Sequence, residues 1–333
     1  MARDEQPIIG ESPAFLDVLD QVSRAAAVSR PVLVIGERGT GKELIAERLH
    51  YLSSRWDKPL IKLNCAAISD ALLESDLFGH EAGAFTDAQQ RRQGRFERAH
   101  EGSLFLDELA NTSPSVQEKL LRVVEYGQFE RLGGQRTLKV DVRLIAATND
   151  DLPGLAKQGR FRADLLDRLS FDVITLPPLR HRPEDIVPLA EHFAVRMSSE
   201  LGRPLFSGFS PVAIDTLMQH DWPGNIRELR NAVERAVYRL DEPEQPLEQI
   251  PLDPFASPWR TVESAAAGSE GGGKLPDNLR RHLDDIERRL VQQALDESGG
   301  HQGMAADRLG LSYDQLRGIL RKHKLGGRTR GQA

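Results

Sequence analysis

The chain has 333 residues, which at about 150 residues per domain corresponds to two or three domains and allows a sizeable core. Its hydrophobic share of 39% and charged share of 28% are typical of globular proteins, so a wholly disordered chain is excluded. The formal net charge of -6, taken alone, argues against binding to nucleic acid. A single cysteine, Cys65, excludes an internal disulfide or a cysteine-clustered zinc site. With no signal segment and no apolar run near the ~20 residues that span a bilayer, we expect a cytoplasmic protein without membrane insertion.

Short apolar runs alternate with amphipathic segments over the first half of the chain. The predicted buried strands are residues 31–35, 60–63, 103–106, 142–147 and 172–176, and helices between them are predicted at 42–53, 115–125 and 161–169. This alternation predicts an α/β fold in which helices cover both faces of a mainly parallel sheet.

After residue 182 the sequence pattern changes twice, first to a purely helical periodicity and then to a composition without periodicity. From 183 to 240 the pattern is helical only, and residues 241–278 are rich in proline, glycine and serine without apolar periodicity. Such a composition is typical of a linker, and we expect it to be mobile around 268–273. The predicted domains are therefore an α/β core (1–178), a helical lid subdomain (179–240), a linker (241–278) and an all-α C-terminal module (279–333).

A glycine-rich turn follows the first predicted strand and opens a helix. It consists of Gly36, Glu37, Arg38, Gly39, Thr40, Gly41 and Lys42, in the setting that a phosphate-binding P-loop requires. The glycines let backbone N–H groups wrap anionic oxygens, and Lys42 would bridge the β- and γ-phosphates of a nucleotide. A chance glycine turn is the alternative, and the combination of strand, spacing, lysine and helix disfavours it. The usual hydroxyl ligand of Mg²⁺ after the lysine is replaced by Glu43, so the metal must be held elsewhere.

Two further strands end in polar side chains. The strand at 103–106 leads into Asp107 and Glu108, a Walker B arrangement in which Asp107 would anchor Mg²⁺ and Glu108 would polarise the attacking water. Alone, such a pair is often a solvated strand end, but with the P-loop it indicates nucleotide hydrolysis. The strand at 142–147 leads into Thr148 and Asn149, which would lie beside the γ-phosphate if the strands end together; by itself the asparagine indicates only a capped turn.

The charges are distributed unevenly along the chain. From residue 279 to the end there are 11 Lys and Arg against 7 Asp and Glu, a balance of +4, which leaves -10 for the rest. A small basic module therefore follows a large acidic one, and the average over the whole chain does not exclude DNA binding.

The basic module has the pattern of a helix-turn-helix. An amphipathic helix is predicted over 279–295, a second helix ends at Gly310, and Ser312 can cap a third, basic helix. We expect this last helix to enter the major groove of DNA. The residues nearest the bases would be Tyr313, Gln315 and Arg317, and those on the phosphates Arg321, Lys322 and Lys324. A helical hairpin with a solvated basic face is the alternative.

Five motifs in chain order resemble the AAA+ activators of sigma-54 RNA polymerase, the bacterial enhancer-binding proteins. They are the P-loop with Glu43, Asn64-Cys65-Ala66, and the segments 77–86 (LFGHEAGAFT), 104–108 (LFLDE) and 222–229 (WPGNIREL). The resemblance extends from residue 8 to residue 324, and within the family it points to the activators of phage shock operons, which also begin directly at the ATPase domain. It implies an AAA+ P-loop core with a lid and a Fis-type DNA-binding domain. It also implies an ATPase that binds enhancer DNA, uses ATP and Mg²⁺, and remodels the sigma-54 RNA polymerase closed complex.

The resemblance further implies roles for single residues in the nucleotide site. Asn64 would hold Glu108 in an inactive pose until the γ-phosphate is sensed. Thr148 and Asn149 would form sensor I, and Arg227 would form sensor II on the lid.

Two arginines acquire a role only through the resemblance. Arg162 and Arg168 would be arginine fingers inserted into a neighbouring subunit's site, which implies a ring, expected to be a hexamer. From the residues alone, both would be solvated, with Arg168 paired to Asp164 one turn before it.

The family's sigma-54 contact loop carries one departure. Its tip reads Gly-Ala-Phe-Thr-Gly-Ala in the family, and here it consists of Gly83, Ala84, Phe85, Thr86, Asp87 and Ala88. Asp87 adds a negative charge and, if the position needs a positive φ, some strain. Either the loop still remodels the closed complex, which we favour because Phe85 and Thr86 are retained, or the chain is an AAA+ DNA-binding regulator that no longer engages sigma-54.

Two further interpretations concern Trp56 and the functional class of the protein. Trp56 is by default a core residue, but in the phage shock relatives a negative regulator protein docks on this domain, so an exposed Trp56 is a candidate contact. A small-molecule P-loop kinase is the rival from another functional class; it predicts an active monomer and leaves the C-terminal module unexplained.

Overall fold

The computed structural model describes residues 7–85, 88–255, 279–298 and 301–323. They form two compact units that divide between Pro254 and Phe255. Thr86, Asp87, Lys324 and most of the predicted linker, residues 256–278, lie outside the described residues. Within the described part of the chain, no helix is long and apolar enough to cross a membrane.

The first unit begins with an α/β layer. In chain order its elements are α1 (Pro13–Ala26), β1 (Val32–Ile35), α2 (Lys42–Tyr51), β2 (Leu60–Asn64), α3 (Asp70–Phe78), β3 (Gly79–His80), β4 (Arg92–Gln93), α4 (Arg95–Arg98), β5 (Ser103–Asp107), α5 (Pro114–Tyr126), β6 (Gln128–Glu130), β7 (Thr137–Lys139), β8 (Arg143–Thr148), α6 (Leu152–Lys157), α7 (Ala163–Leu169) and β9 (Asp172–Thr175). Five strands form a parallel sheet in the order β2-β5-β8-β1-β9. Each lies within one residue of its predicted bounds, and the predicted parallel α/β core is confirmed.

Successive residues of the central strands face opposite layers, as the alternation of side chains in a strand requires. Phe105 and Ile145 pack with α1 and α2, whereas Leu104 and Leu106 pack with α3, α5 and α7. The sheet is therefore buried on both faces, which explains why its strands appear in the sequence as continuous apolar runs.

The buried strand β8 carries one cation. The Arg143 guanidinium is buried and donates to the carbonyls of Ala25, Ala26 and Leu49, at the C-terminal ends of α1 and α2. Burial lowers the pKa of Arg143. The negative ends of two helix dipoles thus replace a carboxylate as its partner.

The second part of this unit is helical. It contains α8 (Pro183–Glu200), α9 (Pro211–Gln219) and α10 (Asn225–Tyr238), packed around the buried side chain of Trp222. Leu247 and Ile250 are buried in the same core, and the Leu247 carbonyl accepts from Ser210 N–H at 2.9 Å. Residues 241–252, which we predicted as the start of a linker, therefore belong to the helical lid.

The second unit consists of α11 (Leu279–Glu297), α12 (Gln302–Arg308) and α13 (Tyr313–His323). Its small core joins Val291 and Ala294 of α11 to Leu316 and Leu320 of α13. The turn between α12 and α13 passes through Gly310 with φ 66°, a conformation that glycine adopts without steric cost.

Candidate functional site

The P-loop connects β1 to α2 at the carboxyl edge of the sheet. Gly39 adopts φ 79°, and a Cβ at this position would lie 2.3 Å from the Gly224 carbonyl oxygen, so the lid contacts the loop too closely for any other residue. Lys42 is buried, and its ammonium donates to the carbonyls of Gly36 at 2.8 Å and Glu37 at 3.1 Å. Burial lowers the pKa of Lys42, while the carboxylates of Asp107 and Glu108 oppose that shift.

The two carboxylates of β5 differ in their surroundings. Asp107 lies in register with Asn64 of β2, and its carboxylate accepts from Glu108 N–H at 3.0 Å and from the Asn64 amide at 3.4 Å. Glu108 has φ 54°, an unusual backbone conformation of the kind found at functional sites. Its Oε1 atom lies 4.0 Å from Nε of Arg38, and its Oε2 atom is buried with no partner among the described residues. The carboxylate that Asn64 contacts in this structure is thus that of Asp107, whereas the resemblance implied Glu108.

Thr148 and Asn149, the two residues predicted beside the γ-phosphate, lie at the end of β8. Thr148 ends β8 beside the P-loop: its carbonyl accepts from Gly36 N–H, and its hydroxyl accepts from Asp150 N–H at 3.0 Å. Oδ1 of Asn149 is buried and makes no hydrogen bond within the described residues. Glu43 is exposed on α2 and pairs with Lys62 at 2.8 Å.

The lid is attached to the P-loop by polar side chains. Asn225 is fully buried; its amide donates to the Arg38 carbonyl at 3.0 Å and to Glu37 at 3.1 Å, and its Oδ1 accepts from Leu179 N–H at 2.8 Å. Arg180 forms a two-pronged ion pair with Glu37, at 2.6 and 2.9 Å. The hydrogen bonds from Arg180 and Asn225 lower the pKa of Glu37 to about 2.

A cavity of about 440 Å³ opens between the P-loop, the β5 carboxylates and the lid. Its polar lining consists of the P-loop, Lys42, Asp107 and Glu108, together with Arg196, Arg227 and Arg230 of the lid. Its apolar lining includes Ile8, Ile9, Phe15, Leu189, Phe193 and Ile226. The polar groups suit an anionic chain, and the apolar side chains suit a flat heteroaromatic ring.

The predicted contact loop lies between β3 and β4, which pair antiparallel as one short inserted hairpin. Gly83 N–H donates to the Ala88 carbonyl at 2.7 Å, and the Phe85 ring is 40% exposed and packs edge-on against His80. The base of the loop is joined to the β6–β7 hairpin because Glu81 N–H donates to Leu132. Thr86 and Asp87 lie outside the described residues, so the structure does not test the effect of Asp87.

In the C-terminal unit, Ser312 caps α13. Its hydroxyl accepts from Gln315 N–H at 3.3 Å, and Oε1 of Gln315 accepts from Ser312 N–H at 2.8 Å, which is a capping box. Tyr313, Arg317 and Arg321 are exposed. Lys322 instead binds Asp284 and Glu287 of α11, each at 2.7 Å.

Three domain families account for nearly all of the chain. Residues 8–175 match the Sigma-54 interaction domain, residues 180–265 the AAA+ ATPase lid domain, and residues 282–323 the bacterial regulatory proteins of the Fis family. The chain belongs to the sigma-54 activator family. It is a sigma-54-dependent transcriptional activator with an AAA+ domain and a DNA-binding helix-turn-helix.

The chain is also similar to individual proteins, in sequence and in structure. The activator is 55% identical to the Psp operon transcriptional activator of Escherichia coli (strain K12) over 98% of its own length and 100% of that protein. It is 45% identical to the transcriptional regulatory protein ZraR of Salmonella typhimurium over 93% of its length and 67% of that protein. A crystal structure of NtrX from Brucella abortus in complex with ATP matches with a TM-score of 0.69 and 32% identity, covering 95% of this chain and 69% of that one.

The two arginines expected to act as fingers lie on or beside α7 of the activator. Arg162 pairs with Asp164 at 2.7 Å, and Arg168 pairs with Glu125 of α5 at 2.8 Å. The pairing of Arg168 with Asp164 that the residues alone suggested is wrong, because Arg162 occupies that carboxylate. Both side chains are substantially exposed, Arg162 at 41% and Arg168 at 57%.

Other residues of the activator could not be assigned from sequence patterns. Trp56 is 64% exposed, so its default interpretation as a core residue is wrong. Asn225 lies inside the segment 222–229, but its hydrogen bond to Glu37 joins residues 188 positions apart in the chain. Arg180 and Arg196 lie in helical segments without a recognisable motif, and no signal short of the fold would have found them.

Proposed function

We propose that this activator hydrolyses ATP in the cavity between core and lid and uses the energy to remodel the sigma-54 RNA polymerase closed complex. The observation that carries the proposal is the convergence of Lys42, Asp107 and Glu108 on one cavity whose opposite wall holds Arg227. A charged lysine at the P-loop and arginines on the lid neutralise phosphate oxygens, and carboxylates are needed for a metal ion and a water.

The residues around the phosphates have different roles. The P-loop N–H groups and Lys42 bind the phosphate chain, and Glu108 orients and polarises the attacking water with its buried Oε2. Thr148 and Asn149 contact the γ-phosphate side, and Arg227 reports its presence to the lid. Asn64 switches between Asp107, its partner in this structure, and Glu108 when the γ-phosphate is lost or gained.

Magnesium fits the carboxylates of this site. Asp107 lines the cavity at the end of its strand, and its carboxylate oxygens accept from Glu108 N–H and, at 3.4 Å, from the Asn64 amide. Oxygen ligands of this type suit Mg²⁺, which would neutralise charge on the phosphates. We therefore assign Asp107 as its protein ligand.

We further propose that the active form is a ring, expected to be a hexamer. Arg162 and Arg168 are supported by α7 and α5, whereas the cations of the cavity come from the P-loop and the lid. Fingers placed in this way act on a neighbouring subunit's nucleotide, where an arginine is worth about 10³–10⁵ in rate.

The remaining parts of the proposal concern partners. The C-terminal unit binds enhancer DNA of a phage shock operon in the cytoplasm, with Tyr313, Arg317 and Arg321 towards the duplex. The loop 83–88 contacts sigma-54 through Phe85, and the exposed Trp56 is the candidate contact for a negative regulator protein. We retain domain boundaries near 178 and 279 and place the end of the lid near residue 252.

The ring is tested by mixing subunits. We expect ATPase turnover per subunit to rise with protein concentration, and both Arg168→Ala and Lys42→Ala to be inactive alone. Mixed together, they should regain activity, because intact P-loops then meet intact fingers. The matched control is Arg160→Ala, an exposed arginine just before α7, which should behave as the wild type. Full activity of Arg168→Ala at low concentration would contradict the ring and favour a monomeric kinase.

Contact with sigma-54 is tested separately on a sigma-54 promoter. Open-complex formation that depends on ATP and on Phe85 supports remodelling. Normal ATPase turnover without open complexes, corrected by Asp87→Gly, would instead identify a regulator that has lost sigma-54 engagement through its loop.

A further inference from the structure

A buried polar cluster lies away from the phosphates, where the start of the described chain meets the lid. Asp185, in the first turn of α8, is fully buried and accepts four hydrogen bonds: from Glu11 N–H at 2.5 Å, Ser12 N–H at 2.8 Å, the Ser12 hydroxyl at 2.7 Å and Nε of Arg182 at 2.7 Å. Burial opposes ionisation of Asp185, but the bonds from Ser12, Glu11 and Arg182 outweigh it and its pKa lies below the usual value. One carboxylate thus serves the N-terminal ends of both α1 and α8, where a negative charge is favoured.

Arg182, the cation that pairs with Asp185, is also buried. The Arg182 side chain is 1% exposed, and its guanidinium lies 3.7 Å above the centre of the Phe15 ring. A Cβ at Gly10 would come within 2.8 Å of Nη2 of Arg182, so the backbone there packs directly on the guanidinium. The cluster therefore fixes residues 7–12, which we name the N-terminal strap, against the lid.

The strap is part of the nucleotide cavity. Ile8 packs against the core beneath α1 and α2, whereas the next residue, Ile9, packs against the core of the lid. Both line the cavity together with Leu189 and Phe193 of α8. These two residues lie one and two turns beyond Asp185 on the same helix, so the cluster fixes the strap to the helix that supplies them.

We propose that Asp185 and Arg182 are positioning residues for the nucleoside end of the nucleotide, acting through the strap and not on the phosphates. This inference rests on the proposed ATP site. It distinguishes two parts of the cavity: the P-loop binds the phosphate chain, and the strap, held by the cluster, binds the base. Breaking the cluster should therefore weaken ATP binding without slowing phosphoryl transfer in the bound state.

The experiment measures binding of ATP and of inorganic tripolyphosphate to the full chain by calorimetry, together with the kcat and KM of ATP hydrolysis. For Asp185→Asn we expect the Kd and KM for ATP to rise about tenfold, which corresponds to ~1.4 kcal/mol. The Kd for tripolyphosphate and kcat should stay within about twofold of wild type, because the polar lining of the cavity is untouched. Ser12→Ala removes one of the four bonds and should raise the Kd for ATP about threefold.

The exposed Asp215→Asn on α9 is the matched control and should change neither ligand's binding. If Asp185→Asn shows no cooperative unfolding transition on heating, it is not properly folded, and the comparison of ATP with tripolyphosphate is then made with Ser12→Ala. An equal loss of affinity for ATP and tripolyphosphate, or a fall in kcat at unchanged KM, would overturn the inference and indicate a general structural role. Because binding is measured directly, a chain that binds ATP but does not hydrolyse it would refute the proposed function and leave this inference testable.

Discussion

Replacement of Asn225 probes the attachment of the lid to the P-loop. In Asn225→Ala the buried N–H of Leu179 loses its acceptor and Glu37 and Arg38 lose a shared donor. An unsatisfied buried donor costs about 1–3 kcal/mol. Asn225 also has φ 53°, where alanine is strained by about 1 kcal/mol. Together these losses predict a decrease of about 3 kcal/mol in the free energy of unfolding of the first unit.

The assay is thermal and urea unfolding of the full chain. For a unit of this size the decrease corresponds to a Tm lower by about 6–12 °C. Asn225→Gly relieves the strain but not the lost hydrogen bonds, so its stability should lie between those of Asn225→Ala and the wild type. Asn231→Ala, at an exposed position of the same helix, is the control and should fall within about 0.5 kcal/mol of wild type. The reasoning is refuted if Asn225→Ala has the same Tm and urea midpoint as Asn231→Ala, or if Asn225→Gly is as stable as the wild type.

Three further changes test other contacts. Ser312→Ala should lower the stability of the C-terminal unit by about 1 kcal/mol through loss of the α13 cap, measured by its helix signal on heating; an unchanged midpoint would count against the capping box. Arg321→Ala should weaken DNA binding and its salt dependence more than Lys322→Ala does, because the carboxylates of α11 already neutralise Lys322; equal effects in a salt titration would show that Lys322 also reaches phosphate. Glu37→Gln should destabilise the first unit at pH 7, and the difference from wild type should vanish as pH falls from about 4.5 towards 2. This direction follows because the folded pKa of Glu37 is depressed to about 2, so its contribution to stability is complete above the unfolded pKa and is lost as pH falls through the folded pKa; a pH-independent difference in Tm would contradict the ion pair.

The C-terminal unit illustrates how far sequence patterns extend. The glycine turn, the cap at Ser312 and the basic last helix all follow from local rules, and the helix-turn-helix is confirmed. The contacts that Gln315 and Lys322 make in this unit do not follow from local rules, because long side chains have several possible partners and the packing of the helices determines which ones are within reach. Gln315 completes the cap, and Lys322 bridges to a helix 35 positions earlier in the chain.

The sequence by itself determined the parallel α/β core, the P-loop and the paired carboxylates. These features depend on apolar periodicity, glycine spacing and polar residues at strand ends, all of which act over a few neighbouring positions. Only the tertiary structure decided that Asn225 and Arg180 bind Glu37, that Arg168 pairs with Glu125, and that Asp185 joins the strap to the lid. These contacts connect residues 43 to 188 positions apart, and their partners are selected by which surfaces the folded layers bring together. A local pattern can place a charged group on a helix or strand, but the group that neutralises it is chosen by the fold.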